Sequence, residues 1–176
     1  MNKSKLYIKI TDKYIYTYNN KRVKKYESKY IKDGKVDNAH KLIIYLNSIL
    51  NKSFIKKRYI FILDTLLCNS DLFVYRYVFE NMGLLNYKII TDADILKTHL
   101  TEDNLIIMNW SSSTNYCYLN NGEIAINKFN QNVINNLDKK YILTIGDEDI
   151  YISTNTPVYN YENKENVIFN FLKESK

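Results

Sequence analysis

Glycine occurs four times in 176 residues and proline once. Loops that wrap phosphate or a cofactor lean on glycine for close backbone approach and for positive φ. A glycine-rich phosphate cradle is therefore excluded, and no Walker loop, Gly-x-Ser-x-Gly elbow or His-Glu-x-x-His pair occurs. The two cysteines, Cys68 and Cys117, lie in unrelated segments without metal or redox spacing and are expected as reduced cytosolic thiols. His40 and His99 each fall on a predicted helix without a carboxylate or cysteine at ligand spacing, so no metal centre is expected. No stretch approaches the ~20 consecutive apolar residues of a spanning helix. The opening MNKSKLYIKITDKYIYTY alternates charged with apolar residues where a leader would show an apolar run.

What the chain does hold is enough apolar residue, 45%, to build a packed core. Its 17 tyrosines suit strands and amphipathic packing. Charge is divided unevenly. Residues 1–60 carry 16 Lys+Arg against four Asp+Glu, and the remainder carries nine against 15, within an overall net charge of +6. Such asymmetry suits anionic partners, a membrane surface or head-to-tail association of copies, and equally a plain solvated surface. The basic residues alternate with tyrosines along predicted strands, and no helix gathers them into a groove reader, so nucleic acid is not the expected partner.

The first thirty residues read as three strands. Leu6, Ile8 and Ile10 alternate with polar residues, as do Tyr14, Tyr16 and Tyr18, and a third run spans Val23 to Ile31. Asp33–Gly34 ends this meander, and Asp37 is the expected N-cap of a helix carrying Leu42, Ile43, Leu46, Ile49 and Leu50. The run Tyr59–Leu63 is apolar on both faces, as a strand buried between layers would be. Asn69 or Ser70 is the expected cap of the next helix and Gly83 its C-terminal stop. A short strand, YKII, and a helix around DADILKTHL complete a β-α-β-α arrangement, with parallel later strands. The order then begins again in abbreviated form: NLIIMNW, NYCYLN and EIAINKF as strands, a short helix at NQNVINNL, the strand YILTI, an extended TPVYNY and a last amphipathic helix. The repetition lies in the order of elements and not in the residues.

That duplicated order resembles the actin, sugar-kinase and heat-shock chaperone ATPase superfamily. IKDGKVDNAHKLIIYL is similar to the turn and first helix of bacterial actin homologues, and RYIFILDTLLCNSDLFVYRYVFENMGL to their next strand and helix. NLIIMNWSSSTNYCYLNNGEI resembles their second phosphate hairpin, its SSTN stretch that of actin-like proteins of type IV pilus assembly. YILTIGDED with TPVYNYENKENVIFNFLKES is similar to their late strand, adenosine loop and terminal helix. The resemblance implies an α/β, actin-like (ribonuclease H-like) duplicated fold of two mixed sheets with helices. Its first half would span 1–102 and an abbreviated second half 103–176, without the inserted subdomains.

The same resemblance places a nucleotide cleft, and the residues there depart from the family pattern. The first phosphate loop should read Asp-Xaa-Gly; Lys9, Thr11 and Asp12 stand in that region with no glycine. The second reads Asn109, Trp110, Ser111, Ser112, Ser113, Thr114. Asn109 lacks the charge that metal-bound water favours, and each serine Cβ restricts positive φ, although serine hydroxyls remain able to bond an anion. The adenosine loop carries Gly146 followed by Asp147, Glu148 and Asp149, whose carboxylates repel polyphosphate. Asp92 falls near the family's catalytic acid but stands at a helix start, where a cap is the commoner role. Trp110 reads either as an anchor for a partner at the cleft mouth or as core.

These departures imply a pseudo-ATPase with no cofactor, ATP and magnesium included. The expected function is a non-catalytic scaffold or adaptor in a bacterial envelope, division or pilus assembly. It would bind other proteins or itself head to tail, in the cytoplasm or at the inner face of the membrane. The alternatives are a weak ATP-binding or ATPase protein, and a membrane- or polyanion-binding module using the basic half.

Overall fold

The computed structural model describes residues 5–19, 22–50, 58–64, 66–110, 113–146, 152–161 and 164–174. They form two compact units, Met1–Thr91 and Asp92–Lys176.

In the first unit, β1 (Lys5–Ile10), β2 (Tyr14–Asn19) and β3 (Arg22–Glu27) form an antiparallel meander. The third strand is shorter than the run expected to reach Ile31. The chain leaves the sheet after Glu27 and makes a separate hairpin of β4 (Ile31–Lys32) and β5 (Lys35–Val36). Asp33 and Gly34 turn it at φ 50° and 74°, the consecutive left-handed pair of a tight hairpin. Helix α1 (Ala39–Ile49) follows, capped by Asn38 and not by Asp37: the Asn38 side chain accepts from the Lys41 amide at 2.9 Å.

Strand β6 (Arg58–Leu63) lies parallel to β1, and β7 (Tyr87–Thr91) parallel to β6, so the sheet order is β3-β2-β1-β6-β7. Between them runs α2 (Asn69–Asn81), whose N-cap is Cys68 in place of the expected Asn69 or Ser70. The Asp71 carboxylate accepts from the Cys68 amide at 3.2 Å and from its thiol at 2.9 Å, the return half of a capping box. These Cys68 bonds, and Lys35 at 3.4 Å, hold Asp71 below the usual carboxylate range. Gly83, at φ 74°, stops the helix as expected: its amide bonds Glu80 O and the Leu84 amide bonds Phe79 O, a Schellman closure.

Leu6, Ile8 and Ile10 of β1 and Tyr59, Phe61 and Leu63 of β6 face Leu42 and Leu46 of α1 and Tyr75, Val78 and Phe79 of α2. The alternate residues Ile60 and Ile62 are buried too, as the two-sided apolar run requires.

The second unit repeats the sheet. β8 (Asn104–Trp110), β9 (Ser113–Asn120) and β10 (Glu123–Lys128) form a meander, and β11 (Tyr141–Ile145) and β12 (Val158–Tyr161) add in parallel, in the order β10-β9-β8-β11-β12. The signs and order of pairing match the first sheet strand for strand. Helix α4 (Gln131–Asn136) stands where α1 stands in the first unit, with six residues against eleven. Its Ile134 joins Leu105, Ile107, Tyr116 and Ile142 in the core.

The division between units falls after Thr91, ahead of the expected 102/103. Helix α3 (Asp92–Leu96) and the 3-10 turn Lys97–His99 belong with the second unit, where α3 packs against α5 (Lys164–Glu174) and His99 stacks on Phe171 at 3.7 Å. Among the described residues no helix is long and apolar enough to cross a membrane.

Candidate functional site

Strands β1 and β2 are joined through Thr11, Asp12, Lys13 and Tyr14. The Thr11 amide donates to the Tyr14 carbonyl at 2.9 Å, the Thr11 hydroxyl donates to the same carbonyl at 2.8 Å, and the Tyr14 amide donates to the Thr11 hydroxyl at 3.1 Å. This turn thus satisfies its own polar groups at both ends. A phosphate needs outward-pointing amides, and the Thr11 and Tyr14 amides are both engaged inside the turn.

Asp12, at the tip, is committed elsewhere. One of its carboxylate oxygens accepts from the Gly34 amide at 2.5 Å, and the Tyr75 hydroxyl donates to the Gly34 carbonyl at 2.7 Å. The peptide units on either side of Gly34 are therefore held by a charged acceptor from one direction and a buried phenol from the other. Burial, and next the charges of Asp12, Asp64 and Asp71, raise the Tyr75 pKa far above its ordinary value, so the phenol stays protonated and remains a donor. Asp64 in turn accepts from the Leu66 amide at 2.9 Å. Lys9 sits in mid-strand and is 1% exposed, on the face of β1 opposite Leu6, Ile8 and Ile10. The sequence had marked Asp12; it had not marked Gly34 as its partner, nor Tyr75 as the second group that holds Gly34. The Asp-Gly dipeptide is the signal for that turn, whereas the Tyr75 contact depends on a helix 41 residues further on.

In the β8–β9 hairpin, Asn109 pairs with Thr114 and Trp110 with Ser113, leaving two residues between the paired ends. Ser111 and Ser112, with the side chains of Asn109 and Trp110, lie outside the described residues. The Ser113 carbonyl and hydroxyl both accept from the buried Asn115 amide group, at 3.0 and 2.9 Å, and the Thr114 carbonyl accepts from the Phe129 amide at 2.9 Å.

Gly146 follows β11, and its amide bonds Tyr161 O at 3.2 Å, extending the β11–β12 ladder. Asp147, Glu148 and Asp149 lie outside the described residues. Asp92 is the first residue of α3 and 1% exposed. Among the described residues no cluster of three His, Cys, Asp or Glu side chains is placed to hold a metal ion. The first turn is a closed hairpin, its Thr11 and Tyr14 polar groups bonded to one another and its Asp12 carboxylate bonded to the Gly34 amide.

No family model matches the chain, and no curated protein matches it in sequence. Solved structures do match it in shape. The ethanolamine utilization protein EutJ from Carboxydothermus hydrogenoformans superposes with a TM-score of 0.52 at 10% identity, over 73% of this chain and 53% of that one. MreB5 of Spiroplasma citri bound to AMPPNP superposes with a TM-score of 0.52 at 10% identity, over 77% and 55%. MreB5 bound to ADP gives 0.51 at 12% identity over the same shares. The chain spans about half the length of these neighbours. Two sheets with the same strand order, each a meander extended by two parallel strands, and these superpositions lead to one conclusion: the chain has the actin-like fold, with its ribonuclease H-like unit present twice.

Proposed function

We propose that this chain is a non-catalytic actin-like module that acts through protein contacts, including contacts between copies, in a bacterial envelope, division or pilus assembly. The observation that carries the reading is the engagement of Asp12. Asp12, in the region where the family would carry its first phosphate loop, holds the Gly34 amide, in a turn whose ends are closed by Thr11 and Tyr14. A loop freed from nucleotide chemistry is at liberty to shorten and to satisfy its own backbone, and the fold then persists for its surfaces. The assembly context comes from the sequence resemblance, and a cytoplasmic or membrane-peripheral site goes with it.

A second reading, a weak nucleotide-binding protein, is favoured by the AMPPNP and ADP held by the MreB5 neighbours. Titration calorimetry with ATP and ADP at near-millimolar ligand, with and without magnesium, separates the two. The expected result is no heat of binding; magnesium-dependent binding would overturn the non-catalytic reading. Sedimentation at low and high salt then tests assembly between copies, which charge-driven stacking makes salt-sensitive.

A further inference from the structure

Strand β3 ends its sheet, and its hydrogen-bonding register can be worked out from the turn beside it. The Ser28 amide donates to the Lys13 carbonyl at 2.8 Å, which makes that pair a hydrogen-bonded one. Bonded and open pairs alternate along an antiparallel ladder. The β2–β3 register runs through six consecutive pairs without a bulge, so Tyr14–Glu27, Tyr16–Lys25 and Tyr18–Val23 are the open pairs. The backbone N–H and C=O groups of Val23, Lys25 and Glu27 therefore point away from β2. The Tyr45 hydroxyl, donating to the Glu27 carbonyl, is in the place this geometry requires and closes that end of the edge. Among the described residues no strand pairs with the outer side of β3.

Sheet edges are commonly defended by proline, bulges or a covering element, and by lysine. Here lysine is the defence present. Arg22, Lys24 and Lys25 are all exposed, Arg22 and Lys24 on the face that carries Tyr26 and Lys25 on the other. The Lys25 ammonium lies 3.5 Å from the centroid of the Tyr14 ring. Exposed Lys13 and Lys29 flank the end beyond Glu27. This row repels a second copy of β3 and is complementary to an acidic strand, so one set of charges excludes one partner and selects the other.

We propose that the outer edge of β3 is a strand-addition site for an acidic, extended protein segment, which pairs with the backbone of Val23 and Lys25 and places carboxylates against Arg22, Lys24 and Lys25. The inference rests on the reading of the chain as a protein-contact module, yet calorimetry with ATP and the experiment below read different surfaces, so each fails separately.

The full chain is titrated with a capped seven-residue peptide in which pairs of glutamates are separated by single threonines, so that carboxylates lie on both faces of the added strand, followed by fluorescence anisotropy and by amide hydrogen exchange. The expected result is binding with at least tenfold slower exchange at the Val23 and Lys25 amides. The lysine-for-glutamate peptide, and a glutamate peptide N-methylated at alternate amides, are expected not to bind. Val23→Pro removes an outward amide that β2 does not use and leaves all charges in place. It is expected to weaken the glutamate peptide at least tenfold, and so is the double variant Lys24→Glu, Lys25→Glu, which serves if the proline variant does not fold. Absence of binding at millimolar peptide would overturn the proposal. So would equal binding of the N-methylated peptide, or capture of phosphatidylglycerol vesicles or duplex DNA together with peptide binding that Val23→Pro leaves unchanged. Those last outcomes would identify a polyanion surface instead.

Discussion

The Tyr75 hydroxyl donates to the Gly34 carbonyl at 2.7 Å, tying the inner face of α2 to the turn of the β4–β5 hairpin across 41 residues of chain. Asp12 holds the amide of the same glycine, so three segments of the first unit meet at one residue. The carboxylate of the first turn thereby becomes part of the fold's own bonding.

Stability is the property that substitutions there should change. Tyr75→Phe leaves the Gly34 carbonyl without its buried donor and is expected to cost about 1–3 kcal/mol. Asp12→Ala removes a charged acceptor and is expected to cost a similar amount, with no change in nucleotide titration. Both act on one glycine, so the double variant should fall short of the sum. Urea denaturation of the four proteins measures this, and strict additivity would sink the shared-glycine account.

Phe61 and Phe79 stack with ring centroids 3.6 Å apart and planes 13° from parallel, both fully buried between β6 and α2. Phe79→Ala opens a cavity against β6 and is expected to cost about 3–5 kcal/mol. A melting temperature within a degree or two of the parent would contradict the packing described.

Gly83 has φ 74° and nothing within 4 Å of the position a Cβ would take. Gly83→Ala thus meets no clash, and its cost is the left-handed backbone alone, about 1–2 kcal/mol. Because Asn tolerates that conformation better, Gly83→Asn is expected to cost less than the alanine variant in the same unfolding assay.

Alkali should unfold the protein through groups that burial protects. Burial pushes the Cys117 thiol from 9.0 to about 12 and the Tyr59 phenol from 10.0 to about 12, and raises Tyr75 as well. Each folded-state value lies above its unfolded one, so the unfolded chain releases these protons first. The contribution is complete below pH 9 and is lost as pH climbs toward 12. Cys117→Ala should remove the earliest part of the decline, between about pH 9 and 10. A stability curve that keeps rising above pH 10 would rule this out.

The two thiols should also separate by reactivity. Cys68 is exposed and Cys117 buried, so a thiol reagent at neutral pH is expected to label one group quickly and the second only on unfolding. Rapid labelling of both would show that β9 opens locally.

Alternation and helical spacing were sufficient to mark Leu6, Ile8 and Ile10, the two-sided run Tyr59–Leu63, the helix of Leu42 and Leu46 and the stop at Gly83. Those signals come from neighbours on one strand or one helix turn, where side-chain direction follows directly from residue number. The repeated order of elements was legible for the same reason. The helix caps were not, because Asp37 and Asn38, or Cys68 and Asn69, differ only in which residue holds the extended φ at the entry. The division between units belonged to the tertiary structure as well, since the allegiance of α3 depends on α5, some 70 residues later. So did the role of Asp12. Residue type and spacing settled that a carboxylate would stand at the first turn. Only chain segments brought together from 22 residues away settled that it would hold the Gly34 amide, because a hydrogen bond is decided by distance in space and not along the chain.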